Sequence, residues 1–249
     1  MSHPNANQSR KWHVTSVAET GSTNADLLQQ GFGGAADRTV LRADFQSSGR
    51  GRLDRTWEAP RGANLLVSFL FRDVPERLHV VTQVVALAAV HTAREQCGIA
   101  VDLKWPNDLL VDGEKVAGIL AQAAPVGSTG LIPFVVVGIG CNIGWAPEGA
   151  TSLSAHKGYR SIDPHGFLLA MLPHIDRLFD AADDELHSEY VASLATIGSR
   201  VRAQMPGDID IIGRALDVER DGRLVVLDEC GVTHRIDTAD VVHLRAVAD

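Results

Sequence analysis

The sequence predicts an α+β fold: a mainly antiparallel mixed sheet with helices, followed by a small all-β module. Three features carry that expectation. Strand-length apolar segments follow one another without an intervening helix, which argues against a doubly wound parallel sheet. Helical periodicity is confined to a few stretches, the clearest of them after Pro75. From Ile197 onward the pattern becomes short strands with turns at Pro206-Gly207, Asp221-Gly222 and Cys230-Gly231, which reads as a small barrel-like module.

Taken in order, "WHVTSVAET" is β-branched and reads as a strand ending at Gly21. In "GSTNADLLQQG", Ser22 or Thr23 can cap a short helix that Gly31 stops. "RTVLRADF" and "NLLVSFLF" read as strands flanking a glycine- and arginine-rich loop. Pro75 opens a long helix through Cys97, with an apolar stripe of Leu78, Val81, Val85, Ala88 and Ala89 and a stop at Gly98. "VDLKW" is a short strand broken by Pro106, and "LLVDGEKVAGILAQ" a hairpin turning at Asp112-Gly113. The almost wholly apolar "LIPFVVVGIG" suits a strand buried on both faces. Helices are expected over about 164–181 and 184–194. The resulting division is a flexible N-terminus over 1–11, a main domain over 12–196 and a C-terminal module over 197–249.

Composition narrows the function. Of 249 residues, 45% are hydrophobic, enough for a large core, and the formal net charge of −8 disfavours a protein that coats nucleic acid or an anionic membrane. Cys97, Cys141 and Cys230 lie far apart and make neither a disulfide framework nor a zinc site, which fits a reducing compartment. The opening "MSHPNANQSRKWHV" lacks the apolar core of a signal peptide, and the longest apolar runs are too short to span a bilayer. A soluble cytoplasmic protein is expected. The ten histidines show no metal-ligand spacing, and His79 and His91 read as polar-face or interface residues of the long helix.

Standard nucleotide motifs are absent. There is no P-loop, and "GRGRLD" has Asp54 where GxGxxG needs its third glycine. "GIGCNIG" follows an apolar strand, but the "WAPEGATS" after it contains Pro147 and offers no helix N-terminus to a pyrophosphate. Its glycines read instead as a strand-end turn that allows close backbone approach.

Three other segments concentrate chemistry. "FQSSGRGRLDRTW" holds Arg50, Arg52 and Arg55 among Ser47, Ser48, Gly49 and Gly51; it is either a solvated loop or a clamp whose guanidinium forks match carboxylate or phosphate oxygens. "LKWPNDLLVDGEKVAGIL" places Lys104, Asn107 and Asp108 at an abrupt turn, with Lys115 on the return arm of the hairpin. That set suits a polyanion, and an Asp beside lysines can help deprotonate an incoming amine. In "ETGSTN", capping needs one of Ser22, Thr23 and Asn24, which leaves a surplus to hydrogen-bond a neutral urea or amide.

"ETGSTN", "FQSSGRGRLDRTW", "KWPNDLLVDGEKVAGIL" and "VVVGIGCNI", in that order, resemble the catalytic region of the biotin protein ligases, and the resemblance runs from about Trp12 to the C-terminus. It implies a class II synthetase-like, biotin–lipoate ligase-like catalytic domain and an SH3-like β-barrel at the end. It further implies an ATP-dependent ligase that makes biotinyl-5′-AMP and transfers biotin to a lysine of a biotin carboxyl carrier protein or domain of a biotin-dependent carboxylase.

By position, the resemblance gives biotin to Ser22, Thr23, Asn24, Gln46, Arg50, Gly51, Arg52, Lys115 and Gly118. ATP goes to Arg55, Trp57, Lys104, Asn107 and Asn142, and the catalytic roles to Arg52, Lys115 and Asp108. Mg²⁺ would accompany the nucleotide phosphates, with no protein ligand assigned. Three rivals stand beside this reading: a lipoate or octanoate transferase using Cys141, a biotin-sensing repressor, and a protein that only binds biotin. About eleven residues precede the first strand, too few for a winged-helix domain, so no DNA partner is expected. No membrane partner is expected either, and the chain would be a monomer or a homodimer.

Overall fold

The computed structural model describes residues 11–243 apart from 54, 73, 76, 128–129, 206–208 and 238–239. The expected N-terminal segment up to residue 10, the Pro206-Gly207 turn and the last six residues lie outside the described residues. Seven strands form the large sheet: β1 (His13–Val17), β2 (Thr39–Ala43), β3 (Leu65–Phe71), β4 (Asp102–Lys104), β5 (Asp108–Val111), β6 (Glu114–Ala123) and β7 (Val135–Cys141). Their order is β1-β2-β3-β7-β6-β5-β4, with β1 parallel to β2 and the remaining pairs antiparallel.

The two faces of this sheet differ in what covers them. Residues alternate faces along a strand. Leu65, Val67, Phe69 and Phe71 of β3, with Val135, Val137, Ile139 and Cys141 of β7, point into the main core. There they meet α2 (His79–Thr92), which a π-helical turn (Ala93–Cys97) extends until Gly98 ends it at φ +74°, and α3 (Pro164–Asp180). Of the expected stripe, Val81, Val85, Ala88 and Ala89 are buried in this core, while Leu78 packs against it half-buried at the N-cap, because the helix begins at His79 and not at Pro75. The opposite face carries Leu70 and Val136 beneath α1 (Thr23–Phe32), in a smaller apolar cluster with Leu27, Leu41 and Phe134. Since α1 is ten residues long, about 15 Å, it covers only one end of that face. The uncovered end is where the cavity described below lies.

Helix α1 differs from expectation at both ends. Ser22 occupies the N-cap position, but its side chain makes no capping bond. The backbone N–H of Thr23 donates instead to Gln46 Oε1 at 2.8 Å, so an acceptor from another segment satisfies a helix-start donor. Gly31 does not stop the helix, which runs on to Phe32 with Gly33 as its C-cap. Gly31 is buried because a methyl there would collide with the Phe134 ring and with Leu70. It is a packing glycine rather than a terminator.

A second sheet follows α4 (Asp183–Ala192): β8 (Arg200–Met205), β9 (Ile209–Val218), β10 (Leu224–Asp228), β11 (Thr233–Ile236) and β12 (Asp240–His243), in the order β11-β10-β9-β8-β12, antiparallel throughout. Its β9–β10 turn docks on the main domain. Trp105, 3% exposed, donates its indole N–H to the Gly222 carbonyl at 3.0 Å and its backbone N–H to Thr196 Oγ1 at 3.0 Å. Gly222 has φ +89°, and a Cβ on it would lie 2.8 Å from the His79 ring. Arg77 pairs with Asp183, and Arg220 with Asp184, around this seam. His79 is thus an interface residue. So is His91, which pairs with Glu189 of α4 and stacks on His174 of α3. Among the described residues, no helix is long and apolar enough to cross a membrane.

Candidate active site

The uncovered end of the sheet forms the floor of a cavity of about 360 Å³, and every site residue expected from the sequence lines it. Four distant segments meet there: the start of α1, the arginine loop, the β4–β5 turn with β6, and β7 with the loop after it. The walls carry five cationic side chains (Arg50, Arg52, Arg55, Lys104 and Lys115) against two carboxylates, Glu58 and Asp108. A chain of net charge −8 therefore focuses positive charge on one concave surface.

The end beside α1 is neutral and densely hydrogen-bonded. Thr23 Oγ1 donates to Gln46 Oε1 at 2.9 Å. Asn24 donates its amide to the Leu120 carbonyl at 3.1 Å and to Gln122 Oε1 at 2.9 Å, and its own oxygen accepts from Ser68 Oγ at 2.6 Å. Ser22, Thr23, Asn24 and Ser68 are all buried. Ser68 had no place among the expected site residues. It is the single polar residue of β3, and that break in an apolar run was the available signal.

The "GIGCN" glycines are not a strand-end turn. Gly138 and Gly140 lie within β7, paired across to Leu120 and Gly118 of β6. They face the cavity, and side chains rather than backbone use the space they leave. A Cβ on Gly138 would overlap the Asn24 amide, and one on Gly140 would overlap the Trp57 indole. Gly118, opposite Gly140, lies below the same indole, so two facing glycines make a bare patch on which Trp57 rests. The Trp57 Nε1 is buried and has no hydrogen-bond partner among the described residues.

Lys115 reaches this patch through an irregularity in β6. Strict alternation would put Lys115 and Gly118 on opposite faces. The ladder pairs Asp108 with Gly118 and Leu109 with Ala117, then shifts so that Leu110 faces Lys115, leaving Val116 as the extra residue. This β-bulge re-aims the lysine. Its Nζ lies 2.6 Å from Asp108 Oδ1 and 5.7 Å from the Trp57 ring centroid.

The arginine loop closes on itself through backbone bonds from Gly51 N to Arg55 O, 2.7 Å, and from Trp57 N to Gly49 O, 3.0 Å. A side chain at Gly49 would overlap the Trp57 carbonyl, so Gly49, more than Gly51, is the sterically required glycine of "GRGR". Arg52 donates to Asn107 Oδ1 at 3.0 Å, and Asn107 is itself tied to Ile119 by bonds of 2.9 Å in both directions. Asn142 lines the far end, but its amide is engaged with Asn64 and with the Thr151 carbonyl, both at 3.1 Å. Gln204 of β8 also lines the cavity, so the second sheet contributes to its wall. Only the three-dimensional docking reveals that contribution.

Cys141 is buried, faces the main core and does not line the cavity. Burial pushes its thiol well above the usual range and that of Cys97 up to about 11. The thiolate a cysteine nucleophile needs is disfavoured at both positions.

The family model described as "Biotin/lipoate A/B protein ligase family" matches residues 18–142, and that described as "Biotin protein ligase C terminal domain" matches residues 196–244. The chain is 41% identical to the biotin--[acetyl-CoA-carboxylase] ligase of Mycobacterium tuberculosis, over 92% of this chain and 88% of that protein. It is 30% identical to the bifunctional ligase/repressor BirA of Bacillus subtilis, over 83% of this chain and 66% of the longer relative. Among solved structures, the biotin protein ligase of Aquifex aeolicus in complex with biotin and ATP superposes with a TM-score of 0.79 at 26% identity, covering 94% of this chain and 99% of that one.

Proposed function

The chain belongs to the biotin protein ligase family, and from that premise we propose that it activates biotin with ATP as biotinyl-5′-AMP and transfers it to a lysine of a carrier protein. The acceptor would be a biotin carboxyl carrier protein or domain of a biotin-dependent carboxylase. Residues 12–196 would carry the catalysis and 197–249 an accessory module. One observation carries the reading: a neutral hydrogen-bonding cluster and a cationic cluster share one cavity floor, about 7 Å apart along β7 at two residues' strand rise. That layout suits an uncharged ureido ring at Thr23, Asn24 and Gln46, with its carboxylate tail reaching Lys115 and Arg52.

In the first half-reaction a carboxylate oxygen of biotin attacks the α-phosphorus of ATP. A new O–P bond forms, and the bond to the β-phosphate oxygen breaks, so pyrophosphate leaves with that electron pair. Two unit negative charges about 4 Å apart repel by roughly 4 kcal/mol at an effective dielectric near 20. Lys115 and Arg52 offset that repulsion and stabilise charge growing on the phosphoryl oxygens. Trp57 over the paired glycines, and the loop bonded to Asn107, shield the mixed anhydride from water. Mg²⁺ enters as the counter-ion of the nucleotide. Glu58 and Asp108 do not form a metal-holding cluster with a third ligand among the described residues, and no step here runs through a protein-held ion.

In the second half-reaction the acceptor amine attacks the acyl carbon, AMP departs, and the amine loses a proton. Asp108 lies at the reaction centre and is assigned to orient or deprotonate that amine. Asp108→Asn is expected to slow transfer from preformed biotinyl-5′-AMP by about a hundredfold. Unchanged transfer would remove the assignment. Arg52→Ala is expected to raise the dissociation rate of biotinyl-5′-AMP roughly ten- to a hundredfold, the loss of one charge-assisted contact. A chase experiment with labelled adenylate reads this directly, and an unaltered off-rate would rule out the clamp.

The whole reading is tested by pyrophosphate release from ATP on addition of biotin. Biotin-dependent release supports it. Biotin binding without release would leave a protein that only binds the vitamin.

A further inference from the structure

Outside the cavity wall, three side chains stand in a row that the chemistry above does not use. His156 Nε2 lies 2.9 Å from Thr151 Oγ1, and His156 Nδ1 lies 3.2 Å from Asp112 Oδ2. The order Asp–His–Thr matches a hydrolytic triad, but the environment does not. Thr151 is 6% exposed and does not line the cavity, so its hydroxyl has no room to attack a substrate. Asp112, at the tip of the β5–β6 hairpin, is largely solvent-exposed. A chain with one exposed end and one buried end is built to hold something in place.

What it holds is the strand that carries Lys115. The Thr151 backbone N–H donates to the Lys115 carbonyl at 2.9 Å, and Ala150 bridges to Lys115 in parallel. The next carbonyl, that of the bulged Val116, accepts from Asn142 N at 2.8 Å, while the Asn142 amide donates to the Thr151 carbonyl at 3.1 Å. A β-bulge interrupts the ladder and leaves backbone groups that need partners elsewhere. Here the segment from Asn142 to Thr151 supplies them. We propose that Asp112, His156 and Thr151 form a positioning clamp that locks this segment onto the bulge and so fixes Lys115 at the reaction centre. With Nε2 as the acceptor, His156 takes the Thr151 hydroxyl hydrogen, while its Nδ1 lies at ion-pair distance from the Asp112 carboxylate. None of the three is a catalytic residue, because none touches the reacting atoms.

The clamp itself and its effect on adenylation are separable, and the second rests on the ligase reading. Hydrogen exchange at the Thr151 and Asn142 amides, measured in the full chain, reads the clamp without any activity. His156→Leu and Thr151→Val are expected to speed exchange at both amides by about tenfold or more, whereas Thr151→Ser keeps the protection. Single-turnover pyrophosphate release, normalised to active sites by titration, then reads the positioning. Both clamp-breaking variants are expected to lose about tenfold in rate with the biotin Kd within twofold, because a misplaced charge affects the transition state more than binding.

Unchanged exchange in His156→Leu would overturn the clamp. Faster exchange with an unchanged adenylation rate would overturn the positioning of Lys115. A wild-type chain that binds biotin but releases no pyrophosphate would fail the ligase reading alone, with the exchange result still deciding the clamp. If Thr151→Val does not fold, His156→Leu against His156→Gln provides the same comparison, with Gln able to restore the bond to Thr151.

Discussion

Replacing Lys115 with methionine is expected to slow biotinyl-5′-AMP formation by about a thousandfold, the upper part of the range for removing one preorganised transition-state donor. Methionine keeps most of the aliphatic stem, so packing against Trp57 and Gly118 survives and only the charge is lost. The removed ammonium also leaves Asp108, whose side chain is 22% exposed, without its partner at 2.6 Å. A double change to Lys115→Met and Asp108→Asn separates these effects: it relieves the orphaned carboxylate without restoring the rate. The measurement is single-turnover pyrophosphate release at saturating ATP, followed across biotin concentrations. A loss confined to KM would mean that Lys115 binds the ground state and transition state equally. That result would move the electrostatic role to the arginines.

Gly138→Ala is expected to abolish useful biotin affinity, raising the Kd by about a hundredfold or more, through one methyl group. The added carbon overlaps the Asn24 amide, a group with three hydrogen bonds into the sheet and no direction in which to yield. Displacing Asn24 also breaks its bonds with Gln122 and with Ser68, which keeps Thr23 Oγ1 as a partner. Overpacking plus the lost hydrogen bonds of the buried Asn24 amide totals on the order of 3 kcal/mol, a fall in Tm of about 10 °C for a chain of this size. Gly21→Ala is the control. It lies beside the same cluster, nothing approaches within 4 Å of its added carbon, and its backbone is not in the left-handed region. Calorimetric titration with biotin, and thermal melts of both variants, compare them. Equal behaviour of the two would show that Gly138 is not a steric requirement.

The strand and helix order was legible because hydrophobic periodicity reports burial directly. The run in β3 and the stripe of α2 are examples. The site was legible because its residues sit in short contiguous segments whose types match anionic and neutral polar ligands. Contacts that depend on register or docking were not legible. Nothing in "EKVAGIL" announces that Val116 is bulged, since a valine followed by an alanine fits either face. Glycine normally marks a chain reversal, whereas the glycines of β7 make room for Asn24 and Trp57. Gly31 likewise makes room for Phe134. Asp112, His156 and Thr151 lie far enough apart along the chain that only the folded loop brings them together.

The seam at Gly222 has a thermodynamic consequence. Trp105 sends one N–H to Thr196 and the other to the second sheet, two residues before the asparagine that receives Arg52. Loss of the second sheet would remove the partner of this indole donor, at a cost of about 1–3 kcal/mol where it stays shielded from water. The two sheets are therefore expected to unfold together, with heat removing the reaction centre and the C-terminal strands in a single transition. One calorimetric transition is the expected result, since the Trp105–Gly222 bond and a shared core that includes Val201, Ala203 and Leu224 join the sheets, and two separated transitions would overturn it.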